Sequence, residues 1–257
     1  MRTPFLRDRR HDGPAARLRR GGGRVTRPPQ GAGEPGAPHA APAPSTLLSV
    51  NVGLPRTVEW RGKPVRTAIF KSPVDGPVRV ETTNLVGDGQ ADPSVHGGVH
   101  KAVYLYPAEH YAYWRADLGD LTWGAFGENL TTTGLTEDAV RVGDRLRVGS
   151  AELVVTQPRL PCFKLGIRFG HEDMQRQFLR SGRTGFYLSV AREGEVRAGD
   201  PVTVAERAAG SVTIAEVVSL LGTDRPDRSR LRRLAELSAL PEGLRRRFRE
   251  QLGEASG

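Results

Sequence analysis

Ala151-Glu152-Leu153-Val154-Val155-Thr156-Gln157-Pro158-Arg159-Leu160-Pro161-Cys162-Phe163-Lys164-Leu165 joins a predicted strand to the only cysteine of the 257-residue chain. Residues 151–156 are rich in β-branched side chains, which favours a strand. Pro158 and Pro161 then end the strand, because proline fixes φ and lacks the N–H that a sheet requires. The thiol of Cys162 is therefore expected on a stiff loop just beyond a strand.

After the cysteine, the run Phe163–Phe169 alternates apolar side chains with Lys164, a glycine and Arg168. This alternation predicts extended backbone, with Cys162, Lys164 and Arg168 on one face. Together with Arg159, these cations place the thiol in positive potential, which favours the thiolate, the form that acts as a nucleophile and as a soft metal ligand. A lone cysteine is also frequently a small buried apolar residue, and local sequence leaves that alternative open.

The composition limits the classes of protein to which the chain can belong. It has one cysteine and a net charge of +9 at pH 7. One cysteine excludes an intramolecular disulfide, a zinc finger and a four-cysteine iron–sulfur cluster, and a free thiol suits a reducing compartment. No apolar run approaches the ~20 residues needed to cross a bilayer, and the first ten residues lack the apolar centre of a secretory signal. We therefore expect a cytoplasmic protein with no membrane partner.

Most of the positive charge lies in the first 45 residues. This segment has nine arginines and three acidic residues, so it holds +6 of the net +9. It is rich in Arg, Gly, Ala and Pro and has too little apolar surface to offset its ordering entropy, so residues 1–45 are predicted to be a disordered basic tail. The other 212 residues are only mildly basic, which argues against a long nucleic acid as a partner.

Ordered structure is predicted to begin at Thr46 and to continue as a mainly β domain over residues 46–208. Short strand-like segments alternate with Gly, Pro and Asp, which is typical of a β-barrel or sandwich. The predicted strands are Leu47–Val52, Val65–Lys71, Val78–Thr83, Lys101–Tyr106, Asn129–Thr132, Arg145–Val148, Glu152–Thr156, Phe186–Ala191 and Val202–Glu206. One helix is expected to begin at Pro107, because proline suits a first helical position, and a second is expected at Glu172–Ser181.

The composition changes after Gly210, and a small three-helix domain is predicted over residues 211–257. Thr213-Ile214-Ala215-Glu216 is a capping box that begins the first helix. The second and third helices are predicted at Asp227–Leu237 and Pro241–Leu252. Roughly 45 residues are too few to be robust alone, so these helices are expected to pack against the β domain.

A second polar segment, Val95-His96-Gly97-Gly98-Val99-His100-Lys101, lies at the start of a predicted strand. Paired glycines let the backbone approach a ligand and point amide groups at an anion, while the histidines and the lysine add donors. This chemistry suits a phosphate-bearing cofactor, although the segment matches neither the P-loop nor the dinucleotide fingerprint. A tight turn between strands explains the same glycines. A third segment, Phe126-Gly127-Glu128-Asn129-Leu130, places a carboxylate and an amide at a strand start.

Together these segments resemble the MOSC domain family, named for the C-terminal domain of molybdenum-cofactor sulfurase. The chain is similar in particular to the bacterial YiiM-type subgroup, which adds a C-terminal three-helix domain. The matching segments occur in the family's order and are Val95–Pro107, Phe126–Leu130, Val142–Asp144 and Gln157–Leu165. The likeness extends from about Leu48 to Leu252. It implies a mainly β, MOSC-type β-barrel with a few helices, followed by the small three-helix domain.

The resemblance also implies a cofactor and a site. Cys162 stands at the family cysteine that ligates molybdenum in the pterin-bound molybdenum cofactor or carries sulfur for it, so it is the expected catalytic residue and metal ligand. The expected cofactor-binding residues are His96, Gly97, Gly98, Lys101, Asn129, Arg159 and Lys164. The resemblance further admits pyridoxal phosphate as a ligand.

The implied activity is the reduction of N-hydroxylated compounds, such as hydroxylaminopurine-type base analogues. The sequence has no flavin or nicotinamide fingerprint and too few cysteines for an iron–sulfur cluster, so the electrons would come from a separate redox protein. Two alternatives remain. One is a sulfur carrier that uses a persulfide on Cys162, and the other is a non-catalytic protein that binds a phosphorylated ligand at residues 96–101.

Overall fold

The computed structural model describes residues 45–91, 97–223 and 225–253. Of the predicted basic tail, only Ser45 lies among the described residues, where it begins the first strand. Thirteen strands and six α-helices are found in the described part of the chain.

The strands are β1 (Ser45–Val52), β2 (Arg56–Trp60), β3 (Lys63–Thr67), β4 (Ser72–Val74), β5 (Val78–Glu81), β6 (Asn84–Leu85), β7 (Val103–Pro107), β8 (Leu130–Thr132), β9 (Arg145–Val148), β10 (Ala151–Pro158), β11 (Phe186–Arg192), β12 (Gly194–Val196) and β13 (Pro201–Glu206). The helices are α1 (Glu109–Leu118), α2 (Phe163–Phe169), α3 (Met174–Arg180), α4 (Ile214–Leu221), α5 (Arg228–Glu236) and α6 (Glu242–Leu252). A short 3-10 turn spans Val99–Lys101.

Seven strands close into a barrel, which confirms the predicted fold class. Their order is β13-β9-β10-β11-β7-β8-β1, and β1 pairs again with β13, where Ser45 lies opposite Val202. Neighbouring strands of the barrel are antiparallel except for β7 and β8, which are parallel with Leu105 opposite Leu130. Outside the ring, β4 pairs with β1, β2 and β3 form a hairpin, and β12, β5 and β6 form a small sheet. Closing the ring leaves no unpaired edge on the main sheet except at β4.

Strand β7 is buried on both faces and separates two cores. Successive side chains of a strand point to opposite faces. Val103 and Leu105 therefore belong to the barrel core, whereas Tyr104 and Tyr106 belong to an aromatic core outside it. The aromatic core also contains Tyr111, Trp114, Phe126 and Phe178. This second core supports the segments that carry the predicted site.

The three C-terminal helices share the barrel's own core. Helix α4 begins at the predicted capping box, in which Thr213 Oγ1 accepts from the N–H of Glu216 at 3.1 Å and the Glu216 carboxylate accepts from the N–H of Thr213 at 2.8 Å. Leu231 of α5 and Phe248 of α6 lie in the same apolar cluster as Leu153 of β10. The described residues accordingly belong to one compact unit.

The predicted extended run at residues 163–169 is wrong, because this segment is helix α2. Cys162 is the extended residue before the helix, and Gly170 ends it in the left-handed conformation with φ 65°. Leu165 is completely buried, so tertiary packing overrides the two-residue alternation. Residues four apart share a face of a helix, so Lys164 and Arg168 still lie on one side.

Several element boundaries also differ from the prediction. The strand predicted at Val65–Lys71 ends at Thr67 as part of β3, and Ala68, Ile69 and Lys71 after it line the predicted site. Pro107 is the last residue of β7, and α1 begins two residues later at Glu109. Within the described residues, no helix is long and apolar enough to cross a membrane.

Replacing Phe248 by alanine tests whether the helices and the barrel unfold together. Phe248 is completely buried in the shared core, so the change should cost about 3–5 kcal/mol of unfolding free energy. All three tryptophans (60, 114 and 123) lie outside the C-terminal helices, so their fluorescence in urea reports on the barrel. The exposed neighbour substitution Arg246→Ala should change stability by under about 0.5 kcal/mol. A helical signal that melts early in Phe248→Ala, with an unchanged tryptophan midpoint, would contradict a shared core.

Candidate functional site

Five of the residues predicted from the sequence line one cleft. The cleft lies between the break that joins β3 to β4, the segment after β6, the start of β7 and the loop after β10. The five residues are Lys101, Asn129, Arg159, Cys162 and Lys164. The predicted residue His96 lies outside the described residues. The barrel thus brings the cysteine loop and the polar segment before β7 to one place, although about 60 residues separate them in the sequence.

The loop between β10 and α2 holds the thiol of Cys162 at the cleft. Cys162 is half-buried and its sulfur is free. The Gln175 side chain donates a hydrogen bond to the Pro161 carbonyl at 3.0 Å. The Arg159 N–H donates to the Gly185 carbonyl at 3.2 Å. The cysteine therefore sits on a loop that is tied at two points to neighbouring elements.

Arg159 lines the cleft and has an unused hydrogen-bond donor. The residue is only 6% exposed, and its guanidinium carbon lies 4.9 Å from the ring centre of Tyr104 and 5.6 Å from that of Phe178. Its Nη1 atom is buried and makes no hydrogen bond within the described part of the chain. Burial raises the pKa of Tyr104 and Tyr187, so both neighbouring phenols stay protonated and neither supplies a negative charge. A buried donor without an acceptor is costly, so this position suits an anionic ligand.

A buried ion pair forms the opposite part of the wall. The Lys71 ammonium pairs with the Asp88 carboxylate, and the two side chains are 9% and 2% exposed. Asp88 also accepts from the N–H of Gly53 at 2.9 Å and from Asn129 Nδ2 at 2.8 Å. Asn129 Oδ1 accepts from the N–H of Tyr104 at 3.0 Å. The amide of Asn129 thus lies in the cleft wall, and both of its ends are bonded within the protein.

The paired glycines lie beside the cleft, and neither is part of its described wall. Gly98 has φ 93°, a conformation that favours glycine, and its carbonyl accepts from the N–H of Lys101 at 2.9 Å. Thr156 Oγ1 donates to the His100 carbonyl at 2.7 Å and ties this turn to β10. Burial lowers the pKa of the half-buried Lys101. Gly97 and Gly98 therefore set the turn that brings Lys101 to the cleft.

The carboxylate of Glu128 lies outside the cleft wall and has a structural role. It is completely buried and accepts from Gly124 N–H at 2.9 Å, Phe126 N–H at 3.0 Å and Thr131 Oγ1 at 3.0 Å, and from the Tyr111 hydroxyl. Burial raises its pKa, and the hydrogen bonds oppose that rise. Glu128 organises the loop that precedes β8.

The charge of the cleft favours an anion. Among the described residues of its wall, four cations face one carboxylate: Lys71, Lys101, Arg159 and Lys164 against Asp88. No cluster of three or more His, Cys, Asp or Glu side chains in the described chain could hold a metal ion. A metal at Cys162 would therefore need most of its ligands from an organic cofactor.

Sequence reasoning did not predict most of the other residues of this wall, among them Lys71, Asp88, Tyr104 and Tyr187. The signal for Asp88 was its place between two glycines just before the His96 segment. Lys71 and the two tyrosines gave no local signal, because Lys71 lay in a predicted strand and the tyrosines fit ordinary strand alternation. Strand pairing places Tyr187 opposite Tyr104.

Comparison with known protein families and sequences gives consistent matches. The sequence profile of the MOSC domain matches residues 92–203, and that of the YiiM-like three-α-helix domain matches residues 212–254. The chain is 40% identical to the uncharacterised protein YflK of Bacillus subtilis over 204 residues, which are 79% of this chain and 92% of YflK. It is 40% identical to the protein YiiM of Escherichia coli over 163 residues, 62% of this chain and 71% of YiiM. It is also 36% identical to a Gibberella moniliformis protein named "Reductase", of which it spans only 36%.

Solved structures agree with the sequence matches. The crystal structure of YiiM from Geobacillus stearothermophilus superposes with a TM-score of 0.69 at 35% identity, covering 81% of this chain and all of the other. YiiM from Escherichia coli superposes with a TM-score of 0.62 at 29% identity, covering 83% and 94%. Both likenesses include the barrel and extend over most of the described residues.

Replacing Asp88 by asparagine tests the buried ion pair. The change leaves the Lys71 ammonium buried without its carboxylate, which should cost about 3–5 kcal/mol of stability at pH 7. Burial lowers the pKa of Lys71, and Asp88 is the main group that opposes this. Without Asp88 the folded-state pKa falls further below the unfolded value of about 10.4.

A lysine with a depressed folded-state pKa adds stability above its unfolded pKa, and this stability is lost as the pH falls through the folded value. The deficit of Asp88→Asn should therefore shrink as the pH rises from 7 towards 10, as measured by urea unfolding. The double variant Lys71→Met/Asp88→Asn should be more stable than Asp88→Asn at pH 7. An equal deficit at both pH values would refute the ion-pair explanation.

Proposed function

The chain belongs to the MOSC domain family, in the group with the YiiM-like three-helix domain, and we propose that it is a molybdenum-cofactor-dependent reductase of N-hydroxylated compounds. The observation that carries the proposal is that a free thiol and an unused buried guanidinium donor line the same cationic cleft. The thiol is a soft metal ligand, and the guanidinium suits a phosphate.

The residues of the cleft fit a pterin-bound molybdenum cofactor. Cys162 would ligate the metal, and Arg159 would donate its free Nη1–H to an anionic oxygen of the cofactor. Lys101 and Lys164 would add positive charge on the same wall. When bound, the cofactor supplies two-electron redox chemistry at molybdenum. Gly97 and Gly98 would act at the turn beside Lys101.

The proposed reaction breaks one N–O bond. R–NH–OH, two electrons and two protons give R–NH2 and water. The protein contributes an aromatic core behind the cleft, cations held in position by the fold, and groups that can hold protons near the leaving oxygen. Of these, Lys71 is buried and hydrogen-bonded to Asp88, so its ammonium is held in one place in the cleft wall. The reductase name of the fungal relative agrees with this class of reaction, although that protein is much longer.

Metal and pterin analysis of purified protein tests the proposal. Protein from a host that makes molybdenum cofactor should contain molybdenum and pterin in near-equal amounts. Cys162→Ser should lose molybdenum and N–O reduction while largely retaining pterin, because its anchoring cations remain. Arg159→Met should lose both pterin and metal, and the exposed control Arg176→Met should lose neither. A wild type without molybdenum would overturn the proposal. A persulfide that disappears in Cys162→Ser would then identify a sulfur carrier, and an unaffected phosphorylated ligand would identify a binding protein.

The electrons must be delivered by another protein. We propose that an electron donor with an acidic surface docks in the helix groove, defined by Leu160, Pro161, Leu179 and Leu221. The exposed Arg180 and Arg247 line this groove. The groove and the cleft share Leu160, and Pro161 of the groove directly precedes Cys162, so a donor seated there would lie next to the thiol. The two arginines form no ion pair with other described residues, which leaves them available to an acidic partner.

Charge reversal tests this docking proposal better than deletion of the helices, because the helices share the barrel core. Arg180→Glu/Arg247→Glu should raise the KM for a protein donor at least about tenfold and make turnover less sensitive to salt, because rim charges steer association. Turnover with a small artificial donor should stay unchanged. Arg232→Glu, on the surface of α5, is the matched control. Equal losses with both donors would contradict docking at this groove.

A further inference from the structure

Two arginines from distant parts of the chain converge on one aromatic ring. The guanidinium carbon of Arg56, at the start of β2, lies 3.8 Å from the ring centre of Phe70. That of Arg168, in α2, lies 5.4 Å from the same ring centre and 5.8 Å from that of Phe169. Stacking on aromatic rings holds planar guanidinium groups in a defined orientation. The two cations are therefore held close together by the fold.

Neither arginine forms an ion pair with an acid within the described residues, although the Glu128 carboxylate acts on Arg168 from a distance. The nearby Arg61 pairs with Glu172, and Arg176 pairs with Asp173. In contrast, Arg168 is half-buried and its buried Nε atom has no hydrogen-bond partner in the described chain. Burial, and then the charge of Arg56, lower the pKa of Arg168, and the charge of Glu128 partly opposes this by raising it. Two repelling cations with unused donors would both be stabilised by a bound anion.

Residues next to this pair line the cleft, which places the pair near its rim. Phe70 is flanked in sequence by Ile69 and Lys71, and both of these line the cleft. Arg168 follows Lys164 by one helical turn, and Lys164 also lines it. An anionic group attached to a ligand in the cleft could therefore extend to the pair. The Arg159 donor lies inside the cleft, so the rim offers a second anion position.

We propose that Arg56 and Arg168, stacked on Phe70, bind a phosphate monoester and select the nucleotide form of an N-hydroxylated base over the free base. A phosphate monoester carries close to two negative charges and acceptor oxygens that match the guanidinium fork. The substrate assignment rests on the proposed function. The phosphate site itself does not, because it can be measured in protein without cofactor.

Calorimetric titration of cofactor-free protein with adenosine 5′-monophosphate, adenosine and inorganic phosphate tests the site. Wild type should bind the nucleotide more tightly than the nucleoside. Arg56→Met and Arg168→Met should each weaken nucleotide binding about tenfold and leave nucleoside binding unchanged. Arg168→Lys should be intermediate, because it keeps the charge and loses the planar fork. Arg61→Met removes the same charge from the β2–β3 hairpin and is the matched control.

The controls decide between explanations. Circular dichroism and unfolding midpoints check each fold, and the exposed Arg56 carries the test if an Arg168 variant does not fold. Unchanged nucleotide binding in Arg56→Met, or an equal loss in Arg61→Met, would overturn the site.

Cofactor-loaded protein then tests the source of the phosphate. Arg56→Met and Arg168→Met should raise the KM for a hydroxylaminopurine nucleotide about tenfold and leave the KM for the free base and the molybdenum and pterin contents unchanged. A parallel fall in pterin content would assign the site to the cofactor's phosphate and overturn the substrate assignment. Nucleotide binding that follows the expected pattern in a protein without N–O reduction would support the phosphate site while refuting the proposed function.

Discussion

The packing around Tyr104 is the constraint on which the candidate site depends. Its backbone N–H donates to Asn129 Oδ1, and its carbonyl accepts from the Asn129 N–H at 2.8 Å. Its hydroxyl donates to the Thr184 carbonyl at 2.8 Å, and its ring supports the Arg159 guanidinium. One strand residue thereby links the ion-pair side of the cleft to the cysteine loop. Tyr104 can make these contacts because β7 is covered on both faces, with the barrel core on one side and the aromatic core on the other.

The cysteine loop shows where local sequence patterns mislead. The run after Cys162 has the two-residue alternation of a strand, yet it forms α2. Seven residues are too short for periodicity to separate the two structures, and Gly170 supplies a left-handed end to the helix. The buried contact of Leu165 decides the outcome. Lys164 and Arg168 still share a face in the helix, because they are one helical turn apart, but only Lys164 lines the cleft together with Cys162.

The sequence predicts the barrel and the helices well, and it predicts the site only in part. The barrel strands carry strong β-branched patterns between turn residues, and the capping box at Thr213 is a local hydrogen-bond pattern that needs no tertiary information. The wall of the cleft is different, because Lys71, Asp88 and Tyr187 meet only when the ring of strands closes. Family resemblance could point to Cys162 and its cationic neighbours. The family resemblance does not reveal which hydrogen-bond donors lack an acceptor. This property distinguishes Arg159, whose Nη1 has no partner among the described residues, from Asn129, whose side chain is bonded at both ends.

Helix α3 connects the cleft to the C-terminal helices. It places Phe178 under the Arg159 guanidinium and Gln175 against the Pro161 carbonyl. Gln175 also lines the helix groove, together with Leu179 and Arg180 of the same helix. Close-packed protein interiors transmit strain, so a partner that bound against α3 would act on the same helix that holds the cysteine loop. The three C-terminal helices therefore do more than enlarge the core, because Leu221 and Arg247 help to line a groove that also contains Pro161, the residue directly before Cys162. The groove thus connects the three-helix domain to the loop that holds the thiol.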